Sequence, residues 1–341
     1  MTTSTSARSR RWCMPTHAAM VAVVGTVAAA TLMLASTASA QQPVWPAKTV
    51  RIITPNSAGS QVDIFTRRVS ERLQPALGQS IIVDNQPGAG GVIGVNNLIR
   101  APKDGYTLGM VANNYVIFTH LQKEQKFDAL KDITPIVLIG AGALVAVTRA
   151  NHPANNLVEL IAQARQQPGK LTLGHSGNGT ILHLAGEQML RQAGVQMLVV
   201  PYKGVSGVIP DVLGGTIDVA IFGPSSVLGL IRDGKLRALG VTGTGRISSL
   251  PDVPPIAESG VPGYNMEGWI ALVGPADLPV AIANRLADEV TRIGTEPAFQ
   301  SFATDAGMAI RPLRGEPLRQ FFADEYARYG RLIAQAGLKA E

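Results

Sequence analysis

Three short stretches hold most of the residues whose types and spacing could do chemistry. They are Asn56, Ser57, Ala58, Gly59 and Ser60 with Asp63 just beyond; Pro87, Gly88, Ala89, Gly90 and Gly91; and His175, Ser176, Gly177, Asn178, Gly179 and Thr180, followed by His183. Small, hydroxyl-bearing and glycine residues leave backbone N–H groups accessible, and hydroxyls donate as well as accept. Where such a stretch opens a helix, the orphan N–H groups and the positive end of the dipole favour an anion. One helix end contributes about 0.3–1 kcal/mol, up to ~2 when partly buried, and a charge-assisted hydrogen bond about 1.5–3 kcal/mol. Micromolar affinity needs about 8 kcal/mol. One loop falls short of that, whereas two or three clamped on one anion reach it.

Other chemistries fit these stretches less well. A dinucleotide site asks for G-x-G-x-x-G; Gly88 and Gly90 match, but the third position is Ile93, and Gly94 satisfies only a looser spacing. No acidic residue ends a following strand about 20 positions on to hold a ribose. The G-K-[ST] of a phosphate loop occurs nowhere. The segment around Ser176 looks like a nucleophile elbow, with Asn178 in place of the final glycine. No histidine follows His183, so the order serine, acid, histidine is closed to it. His120, His152, His175 and His183 form no H-x₃-H or H-E-x-x-H spacing, so no metal and no cofactor is expected.

The elements that would position the loops alternate. Strands are expected at "KTVRIITP", at 81–84, after the Asp104-Gly105 turn and at "ITPIVLIG", with a helix after the loop "NSAGSQ" and another over 92–100. Val62, Phe65, Val69, Leu73 and Leu77 recur close to helical spacing. This β-α-β-α-β run argues an α/β unit with a mainly parallel sheet. The pattern restarts at "ALVAVTR" and carries a second α/β unit through "LRALGVT", with helices at 156–166, 181–193, 205–213 and near 226–232. A proline-rich connection, the strand "EGWIALVGP" and helices at 279–293, 296–303 and 317–337 complete the chain. The stripe Phe321, Phe322, Tyr326 and Tyr329 at helical spacing reads as core packing. Ligands of such sheets sit beyond the carboxyl ends of the strands, and two facing lobes would share a cleft there.

The first 40 residues are expected to be a secretory signal. Arg8, Arg10 and Arg11 precede an uncharged apolar run, and Ala38-Ser39-Ala40 fits a cleavage site after Ala40. A retained anchor is the alternative, because the run is about long enough to span. The Arg10-Arg11 pair hints at twin-arginine export. Cys13, the only cysteine of the 341 residues, lies in this segment, so the mature chain has no disulfide and no thiol ligand. The formal charge of +6 includes the three signal arginines. The basic residues that remain are scattered, which argues against nucleic acid as a partner. About 300 mature residues is where one core gives way to two.

Together, "VDNQPGAGGVIGVNNLIRAPKDGYTLGM", "DITPIVLIG", "LGHSGNGTILHLAGEQML", "VPYKGVSGVIPDVLGGTIDVAIF", "LRALGVTGTGRISSLPDVPPIAESGVPGY" and "GWIALVGPADLP" resemble the Bug-type periplasmic solute receptors, the extracytoplasmic component of tripartite tricarboxylate transporters. The resemblance covers nearly the whole mature chain. It implies a two-lobed, flytrap-like periplasmic-binding-protein fold of type II. Lobe 1 would comprise 41–143 plus 264–341 and lobe 2 would comprise 144–263. It also implies a small organic carboxylate in the cleft, presentation to membrane permease subunits, and no catalysis; the receptor is expected to be a monomer. Carried over residue by residue, functional positions fall on Pro55, Gly59 and Asp63, on Pro87 to Gly91, and on Ser176, Gly177, Gly179, Thr180 and His183.

Departures bear on specificity. The family's first loop reads like P-F-x-x-G-G-x-x-D, whereas here Asn56 replaces the aromatic and Ser60 the second glycine, with Gln61 beside them. Gly223 stands where many relatives carry an acid, which suits a more anionic or bulkier solute. Ser57, Ser60, Ser176, Asn178 and Thr180, with loop N–H groups, are expected to hold carboxylate oxygens; Asn56, Ala58, Ala89 and Gly90 complete the expected site. Asp63 accepts only, so it is expected to cap its helix or order water rather than touch a carboxylate; a ligand amine or hydroxyl is its other possible contact. The glycine loop either touches the ligand or shapes the wall. Two readings stand beside the receptor: a periplasmic sensor subunit for a membrane kinase, and a secreted serine hydrolase built on Ser176.

Overall fold

The computed structural model describes residues 1–3, 45–121 and 127–336. The expected signal from residue 4 onward, with Cys13 and the cleavage point after Ala40, lies outside the described residues.

Among the described residues the strands form two sheets. The first contains β1 (Val50–Thr54), β2 (Ile81–Asn85), β3 (Thr107–Ala112), β4 (Ile133–Ala143), β10 (Glu267–Pro275) and β11 (Met308–Leu313), in the order β11-β4-β10-β3-β1-β2. The second contains β5 (Val145–Arg149), β6 (Thr172–His175), β7 (Leu198–Pro201), β8 (Val219–Phe222) and β9 (Leu236–Val241), in the order β7-β6-β8-β5-β9. Helices α1 (Gln61–Leu77) and α2 (Val92–Ile99) follow β1 and β2; α5 (Ile181–Ala193), α6 (Val205–Gly214) and α7 (Pro224–Arg232) follow β6, β7 and β8. Helix α1 shows why the sequence folds this way. Val62, Phe65, Val69, Leu73 and Leu77 are all buried, Ser60 caps the start, and Gly78 at φ 66° ends it in the left-handed region.

The pairing is more mixed than the alternation suggests. β1 pairs in parallel with β2 and β3, and β6 in parallel with β7 and β8. β10, however, runs antiparallel between β3 and β4, and β5 runs antiparallel between β8 and β9. Both enter from the other sheet. A strand that arrives without a crossover helix has nothing to turn it parallel to its neighbours.

Two elements leave little trace in the sequence pattern. Helix α3 (Asn114–Leu121) follows β3 after Asn113 alone. Tyr115, Val116, Ile117, Phe118 and Leu121 are all buried, so it lacks the polar face that would mark it as a helix. β11 carries Arg311 and Pro312, and it is tolerated because it is an edge strand. The aromatic stripe lies on α10 (Gly315–Ala336), with Phe322 and Tyr329 fully buried. Trp269 donates its indole N–H to Glu325 on that helix at 2.8 Å.

The sheets are joined where β4 passes into β5 through Leu144, and again where the segment 242–266 leads from β9 to β10. Thr242, fully buried, clasps these two crossings together. Its hydroxyl accepts from Leu144 N–H at 2.7 Å and donates to the Met266 carbonyl at 2.5 Å. Its backbone donates to Leu144 O and accepts from Met266 N–H, each at 2.9 Å. Thr242→Val keeps the shape but orphans a buried N–H and weakens the satisfaction of a carbonyl. The expected loss is about 2–4 kcal/mol, read from urea midpoints at unchanged m. A loss below ~1 kcal/mol would mean that the hydroxyl is not what holds the crossings.

Candidate functional site

The loops at the carboxyl ends of both sheets meet around one cleft of about 610 Å³. Of the first loop, Asn56, Ser57, Ser60 and Gln61 line it; Ala58, Gly59 and Asp63 stand behind. Ser60 accepts from Asp63 N–H at 3.2 Å, and Asp63 reaches back to accept from Gly59 N–H at 2.9 Å, a variant of the capping box. Asp63 also accepts from Arg67 Nε at 3.1 Å and from Asn85 Nδ2 at 2.9 Å, and pairs with Arg67 Nη2 at 3.0 Å. Burial by itself raises the pKa of this carboxyl; the bonds from Arg67, Gly59 and Asn85 and the Arg67 charge outweigh it and hold the group below its usual range. Asn85 in turn donates to Asn56 O at 3.1 Å, so one buried anion fixes the loop from behind.

The glycine loop forms a short 3₁₀ turn, Ala89–Gly91, opening α2. Gly88, Ala89, Gly90 and Gly91 all have positive φ, and Ala89 at 45° is strained for a residue with a side chain. A Cβ on Gly90 would lie 2.7 Å from the Asn178 carbonyl and 2.8 Å from the Phe118 ring, and one on Gly91 would lie 2.9 Å from Pro55 O. The loop is therefore wedged between the other two, with Phe118 behind it. Ala89 and Gly90 line the cleft.

Ser176, Gly177, Asn178 and Thr180 line the opposite wall, while Gly179 and His183 lie behind. Two stacked imidazoles support this turn, His175 and His183, with ring centroids 4.2 Å apart. Their Nδ1 atoms accept Gly177 N–H at 3.2 Å and Gly179 N–H at 3.3 Å. His183 Nε2 faces Glu187 at 3.6 Å. Burial and then the neighbouring His183 push the His175 pKa down to about 4. Ser176 Oγ donates to Thr180 Oγ1 at 3.3 Å, and Thr180 Oγ1 to Gly177 O at 2.8 Å. Both Nδ1 atoms are thus engaged with the loop backbone, and the Ser176 hydroxyl is directed to Thr180 and not to an imidazole.

The structure adds residues that the sequence reading passes over. Lys203, in the turn between β7 and α6, is exposed and is the only charged residue in the described lining of the cleft. Its "PYKG" turn is a further strand-to-helix loop, and that was its available signal. Asn114, at the start of α3, accepts from Ile181 N–H at 2.9 Å and donates to Gly90 O at 3.4 Å, joining the glycine loop to the start of α5. Gly204 and Gly223 also meet the facing lobe. A Cβ on Gly204 would lie 2.7 Å from Ser57 Oγ, and one on Gly223 would lie 2.6 Å from Gln61 Cβ. Gln61, anchored on Ala306 O at 3.3 Å, thus fills the space beside Gly223. Trp269, Ile270 and Met308 form an apolar floor.

The profile of the tripartite tricarboxylate transporter family receptor matches residues 65–338. Protein BugT of Bordetella pertussis is 30% identical over 325 residues, 94% of this chain and 98% of BugT. The solved periplasmic binding protein BugD superposes at a TM-score of 0.83 with 27% identity, over 87% of this chain and 100% of BugD. An R. palustris protein solved with adipate gives a TM-score of 0.83 with 28% identity, over 86% of this chain and 98% of that one. The two-lobed α/β architecture expected from the sequence is the one these periplasmic proteins share. The chain belongs to the tripartite tricarboxylate transporter receptor family, among the Bug-type periplasmic solute-binding proteins.

Proposed function

We propose that this protein captures a small carboxylate-bearing solute between its lobes in the periplasm and delivers it to the membrane permease subunits of a tripartite tricarboxylate-type transporter. In this reading the signal is cleaved after Ala40, 41–143 with 264–341 form one lobe and 144–263 the other, and the receptor acts as a monomer without catalysis. One observation carries it. Loops opening α1, α2, α5 and α6 converge on a cleft whose described lining includes Lys203 and no acidic residue. Ser57 and Ser60 supply hydroxyls and the helix starts supply N–H groups, a lining that favours an anion. The bound adipate of the R. palustris neighbour is a carboxylate too.

Calorimetric titration with carboxylates and their isosteric primary amides tests this directly. A carboxylate ligand at about 100 times its Kd should stabilise the fold by about 2.7 kcal/mol, its amide far less. Equal binding of acid and amide would remove the reason for the reading.

Capture requires the lobes to approach, and Gly223 sits where they touch. Gly223→Ala should lower affinity by about tenfold or more, through a smaller closed population, with little change in the free protein's melting point. Gln61→Gly in the same chain should restore most of it. An unchanged affinity in the single variant would mean that this contact does not limit closure.

His175 makes the second wall pH-sensitive. His175 is neutral in the fold, with its pKa lowered to about 4 from 6.5. The unfolded chain takes up this proton first as the pH falls, so the contribution is complete above pH 6.5 and is lost from there down to about 4. Its size is about 1–3 kcal/mol. His175→Gln should flatten the decline in stability between pH 7 and 4.5 relative to the parent. Parallel curves would show that His175 is not the titrating group.

A further inference from the structure

Building on the carboxylate-receptor reading above, we propose that the solute's carboxylate is held where the start of α6 faces the first loop, by the Val205 N–H and the hydroxyls of Ser57 and Ser60. The Ser176 turn shapes the wall and does not bind the charge. The fate of each donor around the cleft points there.

The Ser176 turn has few donors left. Gly177 N–H and Gly179 N–H go to the Nδ1 atoms of His175 and His183, and Thr180 N–H goes to Gly177 O. Ile181 N–H goes to Asn114 Oδ1 and His183 N–H to the Thr180 hydroxyl. The Ser176 hydroxyl donates to Thr180 Oγ1, and the Thr180 hydroxyl to Gly177 O. All these partners belong to the fold, so a carboxylate at this turn would have to displace bonds already made.

The start of α6 is the opposite case. Gly204 at its N-cap has no side chain, and no side-chain hydrogen bond caps the helix. The first N–H groups of a helix have no partner inside it, and they carry the positive end of its dipole. Val205, the first residue of α6, lines the cleft.

Ser57 independently points to a ligand. It is only 8% exposed and lines the cleft, yet its hydroxyl has no hydrogen-bond partner among the described residues. Its side chain is aimed at the α6 start, because a Cβ on Gly204 would lie 2.7 Å from Ser57 Oγ. Buried hydroxyls are normally paired. Ser60, also buried and on the lining, accepts Asp63 N–H, while its own proton has no acceptor among the described residues. What is missing at this place is an acceptor, and a carboxylate does nothing but accept. Asp63 does not oppose it, since its carboxylate is taken up by Gly59, Arg67 and Asn85. Ser57 and Ser60 follow a strand of the first sheet, and Val205 follows a strand of the second. A carboxylate bound here therefore has its full set of donors only while the lobes are together.

Calorimetry on the full mature protein tests the assignment with acetate, malate, adipate, citrate and benzoate, each against the corresponding primary amide. The acid that the parent binds tightest is the probe. Ser57→Ala should weaken that acid by about tenfold or more and its amide far less, with the ligand-free melting point not lowered. Val205→Pro removes the N–H at a helix position where proline is at home, and it should have the same effect. Ser176→Ala should keep the parent's preference for acid over amide. If Ser57→Ala or a folded Val205→Pro binds acid and amide like the parent, or Ser176→Ala loses the preference, the assignment is wrong while the carboxylate receptor stands. If the parent binds no acid better than its amide, the receptor reading falls and the assignment with it.

Discussion

Gly90 lies against the Asn178 carbonyl, Gly204 against Ser57, and Gly223 against Gln61. At each of these positions a side chain would occupy space that the facing lobe already fills. The cleft depends on this approach of backbone to backbone. A hydroxyl or amide N–H contributes to an anion only within hydrogen-bonding distance, and donors from two lobes reach one small solute only if the loops carrying them can nearly touch. Asn114 holds the same approach by hydrogen bonding, since its amide spans Gly90 O and Ile181 N–H. Packed interiors are not continuously deformable. A methyl group at one of these points therefore shifts the balance between open and closed arrangements rather than denting the wall.

Electrostatics follows the same economy. The most strongly held carboxylate near the cleft, Asp63, faces away from it and works on the scaffold. It orders the first loop through Gly59 and ties α1 to β2 through Arg67 and Asn85. The second wall uses neutral groups for the same task, with His175 and His183 each accepting one loop N–H. Both devices satisfy loop N–H groups from the scaffold side.

Much of this was legible in the sequence, and for identifiable reasons. The loops were legible as helix starts; Ser60 and Thr180, expected there to meet carboxylate oxygens, cap their helices through Asp63 N–H and His183 N–H. The elements with clean periodicity, α1 above all, were legible for the same local reason. What stayed hidden depends on tertiary context. α3 is apolar on every side because the protein surrounds it. The antiparallel entry of β10 is a property of the path between lobes and not of the strand's own residues. Lys203 had only its strand-to-helix turn to mark it, and no other charged residue belongs to the described lining of the cleft. The glycines of 88–91 suggested a phosphate cradle by composition, while their spatial reason is the Asn178 carbonyl, the Phe118 ring and Pro55 O.

A receptor must also release what it holds, and the distribution of donors suits release. No single group in the cleft supplies more than a few kcal/mol: a helix start gives about 0.3–2 and a charge-assisted bond about 1.5–3. The first loop and the glycine loop belong to the first sheet, and the Ser176 loop and Lys203 to the second. Parting the lobes leaves each half with only its own share and admits water to compete for it. Affinity then drops by several contributions at once, although no individual bond is strong. The clasp at Thr242 lies at the crossings between the sheets, away from these donors. The motion can thus pivot on fixed hydrogen bonds while the bonds to the solute are exchanged for water.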